Sequence, residues 1–232
     1  MILPEIDMQT KDWMNFIMDN EKDINTIYTE NALLFSESDS YAQGITNITT
    51  FYQNKFKGLT LKEYNTLYRV QLSENKDMVF EIGLLTTEQN AHYQYLILWT
   101  RTNGSWLRDL EAVAKKAVTL DVDSGIDVAR KNWVKLANQH SAITLAKSSY
   151  IENLFYYNRG ILYHGYESLV DVYSYMNDLA FDINLKEDYC VMVGEKLAYE
   201  IGTWISSDYK GNYIIAWKKL DGVWKIMLDC NW

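Results

Sequence analysis

Few residues in this 232-residue chain have the type and spacing that chemistry demands. The three histidines, His92, His140 and His164, fall in a strand, at a helix edge and in a loop. None stands at the short spacing that lets imidazoles share a metal, so no metal site is expected. There is no Gly-x-Ser-x-Gly elbow and no phosphate-cradling glycine loop, and no motif implies a cofactor. His164, in a loop between Tyr163 and Tyr166, is the imidazole best placed to meet a ligand. Two carboxylates, Glu111 and Asp229, hold matching places on two closing strands. Strict alternation puts Trp224, Ile226, Leu228, Cys230 and Trp232 on one face of the last strand and Asp229 on the other. Both acids are therefore expected on the outer face, solvated or at an interface. What remains is aromatic, with 18 Tyr and 8 Trp. Such rings fill a core, or they wall a pocket for a flat apolar ligand, with indole N–H and phenol O–H groups to orient it.

The elements that would position these rings are clearest at the end of the chain. Ile201 to Trp204, Gly211 to Lys219 and Val223 to Asp229 are apolar, aromatic and β-branched runs. They are separated by Ser206-Ser207-Asp208 and by Asp221-Gly222, and Asp-Gly between two such runs marks a hairpin. The same stretch occurs earlier. Glu81-Ile82-Gly83 matches Glu200-Ile201-Gly202, and Asn103-Gly104-Ser105-Trp106 matches Asp221-Gly222-Val223-Trp224. Leu98-Trp99 matches Ala216-Trp217, Tyr28-Thr29-Glu30-Asn31 matches Tyr150-Ile151-Glu152-Asn153, and Asp12-Trp13 matches Asn132-Trp133. Gly44 with Phe51-Tyr52 matches Gly165 with Val172-Tyr173. Chance matches would not keep their order and near-constant spacing. The chain is two copies of one domain.

Each copy reads as three helices followed by a meander of strands, an α+β packing. In the first, helices are expected near Thr10–Asn20, Asp23–Tyr28 and Ile45–Lys57, with a short strand at Ala32–Phe35. Strands follow near Leu61–Leu72, Met78–Thr86, His92–Thr102 and Ser105–Val113. In the second, helices are expected near Ile126–Asn138, Ser141–Glu152 and Gly165–Leu179, with a short strand at Leu154–Tyr157. Its closing strands lie near Phe181–Lys186, Tyr189–Gly194, Lys196–Ser206, Tyr209–Leu220 and Val223–Asn231. The expected boundaries are a first domain at 1–118, a linker at 119–125 and a second domain at 126–232.

Composition narrows the partners. With 48% hydrophobic and 23% charged residues the chain is an ordinary globular one. A net charge of −9 without a basic cluster argues against nucleic acid and against an anionic membrane surface. No run approaches membrane-spanning length. The N-terminal residues lack a basic and then apolar leader, so a cytoplasmic protein is expected. Cys190 and Cys230 both fall in the second copy, and nothing requires them to pair.

The ordered set of an early Trp on the first helix, Tyr-x-Glu-Asn, a Gly before the third helix, Glu-x-Gly, Gly-x-Tyr-x-x-x-Trp and Asp-Gly-x-Trp-Lys-Ile resembles the nuclear transport factor 2-like superfamily. The nearest likeness is to its SnoaL-like and ketosteroid-isomerase-like branch. The resemblance implies two tandem cones, each of three helices packed on a strongly curved antiparallel sheet, with a pocket inside. It further implies, for an isomerase, an acidic base before the third helix, a Tyr on the first helix and an acid on the penultimate strand. Those positions fall near Ser36, or Tyr157 and Asn158; near Asp12, Trp13 or Trp133; and near Ile97 and Ile215. The roles are vacant, Asp39 being the nearest acid. His164 would lie over the pocket mouth. Trp13, Phe35, Tyr95 and Trp99 in the first copy, and Trp133, Tyr157, Tyr163, Tyr213, Trp217 and Trp232 in the second, should point into the cones.

The reading that follows is a protein binding a small apolar or aromatic molecule in a cone, without steroid-isomerase chemistry. The alternative is an isomerase, cyclase or dehydratase using Asp39 or His164 with Tyr donors. A carboxylate buried within reach of a pocket Tyr or Trp would favour catalysis. Cones filled by their own side chains would favour an interaction scaffold. Because such domains commonly pair through their sheets, a tandem chain is expected to pair its own two copies and remain a monomer.

Overall fold

The computed structural model describes residues 3–19, 23–37, 40–72, 76–116, 120–158, 160–207 and 209–232. Asp39 lies outside them. The chain divides into two compact units, Met1–Ala117 and Val118–Trp232.

The first unit runs α1 (Pro4–Asp19), a 3₁₀ turn (Ile24–Thr26), β1 (Tyr28–Ser36), β2 (Tyr41–Gln43), α2 (Ile45–Lys55), β3 (Leu61–Gln71), β4 (Met78–Thr87), β5 (His92–Thr102) and β6 (Ser105–Lys116). The second repeats it with α3 (Ser124–Ala137), α4 (Ala142–Ser149), β7 (Tyr150–Asn158), β8 (Ile161–His164), α5 (Gly165–Val172), a 3₁₀ turn (Tyr173–Asn177), β9 (Asn184–Gly194), β10 (Leu197–Ser206), β11 (Tyr209–Leu220) and β12 (Val223–Asn231). The six-stranded sheets have matching orders, β2-β1-β6-β5-β4-β3 and β8-β7-β12-β11-β10-β9. Both units are α+β, two tandem copies of one cone-like architecture. No helix among the described residues is long and apolar enough to cross a membrane.

Local chemistry accounts for these elements. In α3, Ile126, Arg130, Trp133 and Ala137 recur at helical spacing and are buried, and Asp123 caps the start by accepting from the Gly125 N–H at 2.8 Å. Asn103-Gly104 and Asp221-Gly222 take positive φ at both residues, 51° and 84° and then 49° and 83°. That is the turn geometry that matches strand twist and closes two-residue hairpins. It fixes the β5–β6 and β11–β12 registers.

The structure departs from the sequence reading in several elements, and the strands expected at Phe181–Lys186 and Tyr189–Gly194 are one strand, β9. The sheets are mixed rather than wholly antiparallel, since β1 runs parallel to β6 and β7 parallel to β12. In each copy the meander returns its last strand alongside the first in the same direction. The second expected helix of the first copy is only the 3₁₀ turn, because the chain is already extended at Tyr28. The third helix of the second copy stops at Val172 and tightens into 3₁₀ geometry, which buries Tyr173 and Met176.

A β-bulge in each closing strand matters most for the site. Trp99 pairs with Arg108 and Leu98 with Leu110, which leaves Asp109 as an extra residue on β6. Trp217 pairs with Ile226 and Ala216 with Leu228, which leaves Met227 extra on β12. One extra residue resets the alternation. Glu111 comes opposite Ile97 and Asp229 opposite Ile215, on the inner faces. The expectation that these acids face outward is overturned; both are buried.

Candidate functional site

Each cone closes around the same set of polar side chains. In the second unit β12 carries Asp229 inward, β7 begins at Tyr150, and the 3₁₀ turn after α5 supplies Tyr173. Both hydroxyls donate to Asp229 Oδ2, at 2.7 Å and 2.8 Å. Trp133, on α3, donates its indole N–H to the Tyr150 hydroxyl at 2.9 Å. In the first unit Trp13 donates to the Tyr28 hydroxyl at 2.8 Å, and Tyr28 and Tyr52 both donate to Glu111. Tryptophan, two tyrosines and one carboxylate are thus repeated, each from the corresponding element.

The two carboxylates differ in their company. Glu111 is held at 2.8 Å by the Arg108 guanidinium, and both side chains are fully buried. That guanidinium lies 3.8 Å from the Trp13 ring centroid, with Trp99 at 5.0 Å and Tyr95 at 5.8 Å. In the first cone this buried arginine fills the place beside the carboxylate. Ile226 occupies the corresponding place in the second, and no Lys, Arg or His among the described residues pairs with Asp229. Burial pushes the Asp229 carboxyl up from 3.8 to about 6, against the lowering effect of the Tyr150 and Tyr173 donors. Burial first, and then the Asp229 charge, hold both tyrosine hydroxyls protonated well above the usual phenol range.

Asp229 forms part of the wall of a cavity of about 320 Å³ in the second unit. Trp133, Tyr173, Tyr213 and Ile215 surround its inner end; Met176, Phe181, Ile183 and Leu185 supply apolar walls; Trp204, Ser206, Tyr175 and Tyr209 lie outward. Tyr175 and Tyr209 are themselves solvent-exposed. Asn231 also lines the cavity, its side-chain Oδ1 accepting from the Tyr156 hydroxyl at 3.2 Å. The wall behind Tyr213 is braced by a buried ion pair. Glu200 accepts from Arg130 Nε and Nη2, both at 2.8 Å, from the Tyr213 hydroxyl at 2.7 Å and from the Trp217 indole at 2.9 Å.

The residues singled out from the sequence are distributed as follows. Trp133 and Tyr213 line the cavity. Trp217 is buried behind it on Glu200. Tyr157 pairs with Cys230, one position off Asp229, and lies on the opposite face of the sheet; Tyr156 is the inward residue. Tyr163 packs against Tyr156 at 5.9 Å and is not in the cavity wall. Trp232 contributes its backbone, pairing with Asn212 and accepting from the Trp204 indole. His164 stacks on Phe155 at 4.6 Å, away from the cavity. Phe35 likewise faces away from Glu111, against Tyr41 at 5.8 Å; Leu34 takes the inner place. Trp13, Tyr95 and Trp99 are buried about Arg108. Alternation missed Asp229, Tyr150 and Tyr173. The signal that could have found them is the repeat itself, which keeps Tyr28 with Tyr150, Tyr52 with Tyr173 and Glu111 with Asp229.

No protein-family model matches the chain, and no curated protein sequence does. Solved structures do. The chain is similar in structure to NTF2-like proteins. One, an NTF-2-like protein of unknown function from Shewanella oneidensis MR-1, is 16% identical over 47% of this chain and 96% of its own, with a TM-score of 0.42. A ketosteroid isomerase-like protein from Erwinia carotovora atroseptica is 22% identical over 50% of this chain and 97% of its own, at 0.40. A cystatin-like domain of unknown function from Nostoc punctiforme is 16% identical over 47% and 74%, also at 0.40. Each spans about half of this chain. Likeness at this level leaves activity to be read from the site.

Proposed function

We propose that the second unit binds a small, largely apolar molecule of aromatic character in its cavity, with Asp229 as the polar anchor. The observation that carries this reading is the ring-walled space of about 320 Å³ that ends on a buried carboxylate. Mostly apolar walls with a few fixed polar groups are what a small-molecule site requires. The first unit, with Arg108 buried beside its carboxylate, serves as support. Thermal shift and intrinsic fluorescence of the chain against planar apolar compounds test this. A saturable response is expected, lost in Trp133→Ala if that variant still folds; no response to any probe of suitable size would count against it.

A second reading is favoured by one observation, the Asp229 carboxyl raised to about 6 between two tyrosine hydroxyls. A carboxyl titrating near neutrality accepts and returns a proton readily. The position is on the last strand, not at the places where the resemblance puts an isomerase's acids, so steroid-isomerase chemistry is not proposed. Turnover of a bound compound with a pH profile rising through about 6, abolished in Asp229→Asn, would establish acid–base catalysis.

A further inference from the structure

The two copies differ at one inward position beside the shared carboxylate. Arg108 pairs across the strands with Trp99, and Ile226 pairs with Trp217, so the two residues hold equivalent places. In the first cone the Arg108 guanidinium meets Glu111, the Trp13 ring and the Tyr95 ring. The counterparts of those groups are Asp229, Trp133 and Tyr213, and all three line the cavity of the second cone. Three of the groups around the guanidinium in the first copy thus have counterparts in the cavity wall, whereas Ile226 and Trp217, the counterpart of Trp99, lie outside it.

We propose, resting on the small-molecule reading above, that the ligand is an organic cation: a protonated amine or a guanidinium carried on a flat apolar body. Its charge takes the place that Arg108 fills in the first copy, against Asp229 and the face of Trp133. Three features agree. A buried carboxylate without a counter-charge is costly, and a cation relieves that cost. Tyr150 and Tyr173 both donate to Oδ2, so Oδ1 accepts no hydrogen bond from the described residues and is open to a ligand N–H. Indole and phenol faces attract a desolvated cation, and among the described residues Asp229 is the only charged side chain lining the cavity. An anionic ligand would meet repulsion from Asp229 there.

The test is calorimetric titration of the full chain near neutral pH with 2-naphthylmethylammonium and with its neutral isostere, 2-naphthylmethanol. The cation is expected to bind at least about tenfold more tightly. Asp229→Asn should remove that preference. Ile226→Arg, which supplies the missing guanidinium from the chain, should abolish binding of both probes while circular dichroism shows the fold intact. Equal affinity for the two probes in the wild-type chain would overturn the cation proposal and leave the cavity reading standing. Failure of both probes to bind would remove both readings. Cation binding unaffected by Ile226→Arg would also overturn the proposal, since the charge would then lie elsewhere.

Discussion

Asp229 sits where ionisation is costly. Its carboxyl, raised by burial from 3.8 to about 6, binds a proton more tightly in the folded than in the unfolded chain. The stability this contributes is complete below about pH 4 and is lost as pH rises through about 6, because deprotonation then penalises the folded state. A shift of two units corresponds to about 3 kcal/mol. Asp229→Asn keeps an acceptor for Tyr150 and Tyr173 without the charge. It should stabilise the unliganded protein by about 1–3 kcal/mol above neutrality and flatten the pH dependence, as thermal melts across pH would show. Arg108 predicts the reverse. Arg108→Leu leaves Glu111 buried without its cation and should cost about 3–5 kcal/mol, read from denaturant unfolding. Adding Glu111→Gln should recover a large part of that loss, because the stranded charge is then gone.

Among the elements, the bulged strands β6 and β12 and the glycines of β4 and β10 shape the interiors. The Glu-Ile-Gly pattern found in both copies has a physical reason. Glu81 and Gly83 share a face of β4, and Tyr64 lies over the glycine to donate to Glu81 at 2.7 Å. Glu200 and Gly202 do the same on β10 for Tyr213, at 2.7 Å. A Cβ at Gly202 would overlap the Tyr213 ring and the Lys186 carbonyl oxygen. Gly202→Val should therefore displace Tyr213 from the cavity wall and cost at least about 1–3 kcal/mol. Ligand response should fall with it. A variant that kept both its melting temperature and its ligand affinity would show that the ring is not braced in this way.

For the whole molecule, duplication has left two copies with one shared framework and unequal interiors. Arg108 pairs with the carboxylate of the first, whereas a cavity lies beside Asp229 in the second. Calorimetry should accordingly give one ligand per chain, not two. A stoichiometry of two would mean that the first interior opens around Arg108. The charge of −9 sets a further expectation at this scale. Association of a cationic ligand should weaken moderately with added salt, through loss of the long-range attraction, while the buried contact is screened much less.

By itself the sequence determined the duplication, the α+β class, the hairpins at Asn103-Gly104 and Asp221-Gly222, and the inward Trp13, Trp133 and Tyr213. Matched residue types, turn chemistry and strand alternation are local and survive in one dimension. Only the tertiary structure decided the site. Nothing in the identity of Asp109 or Met227 announces that it is the extra residue of a bulge, yet that insertion turns Glu111 and Asp229 from the outer face to the inner. The same displacement makes Tyr156, not Tyr157, the inward tyrosine. The company of each carboxylate rested in turn on one position, Arg108 in the first copy and Ile226 in the second. A guanidinium can be buried beside a carboxylate only where three rings from distant elements converge on it, and that convergence exists only once the chain has folded.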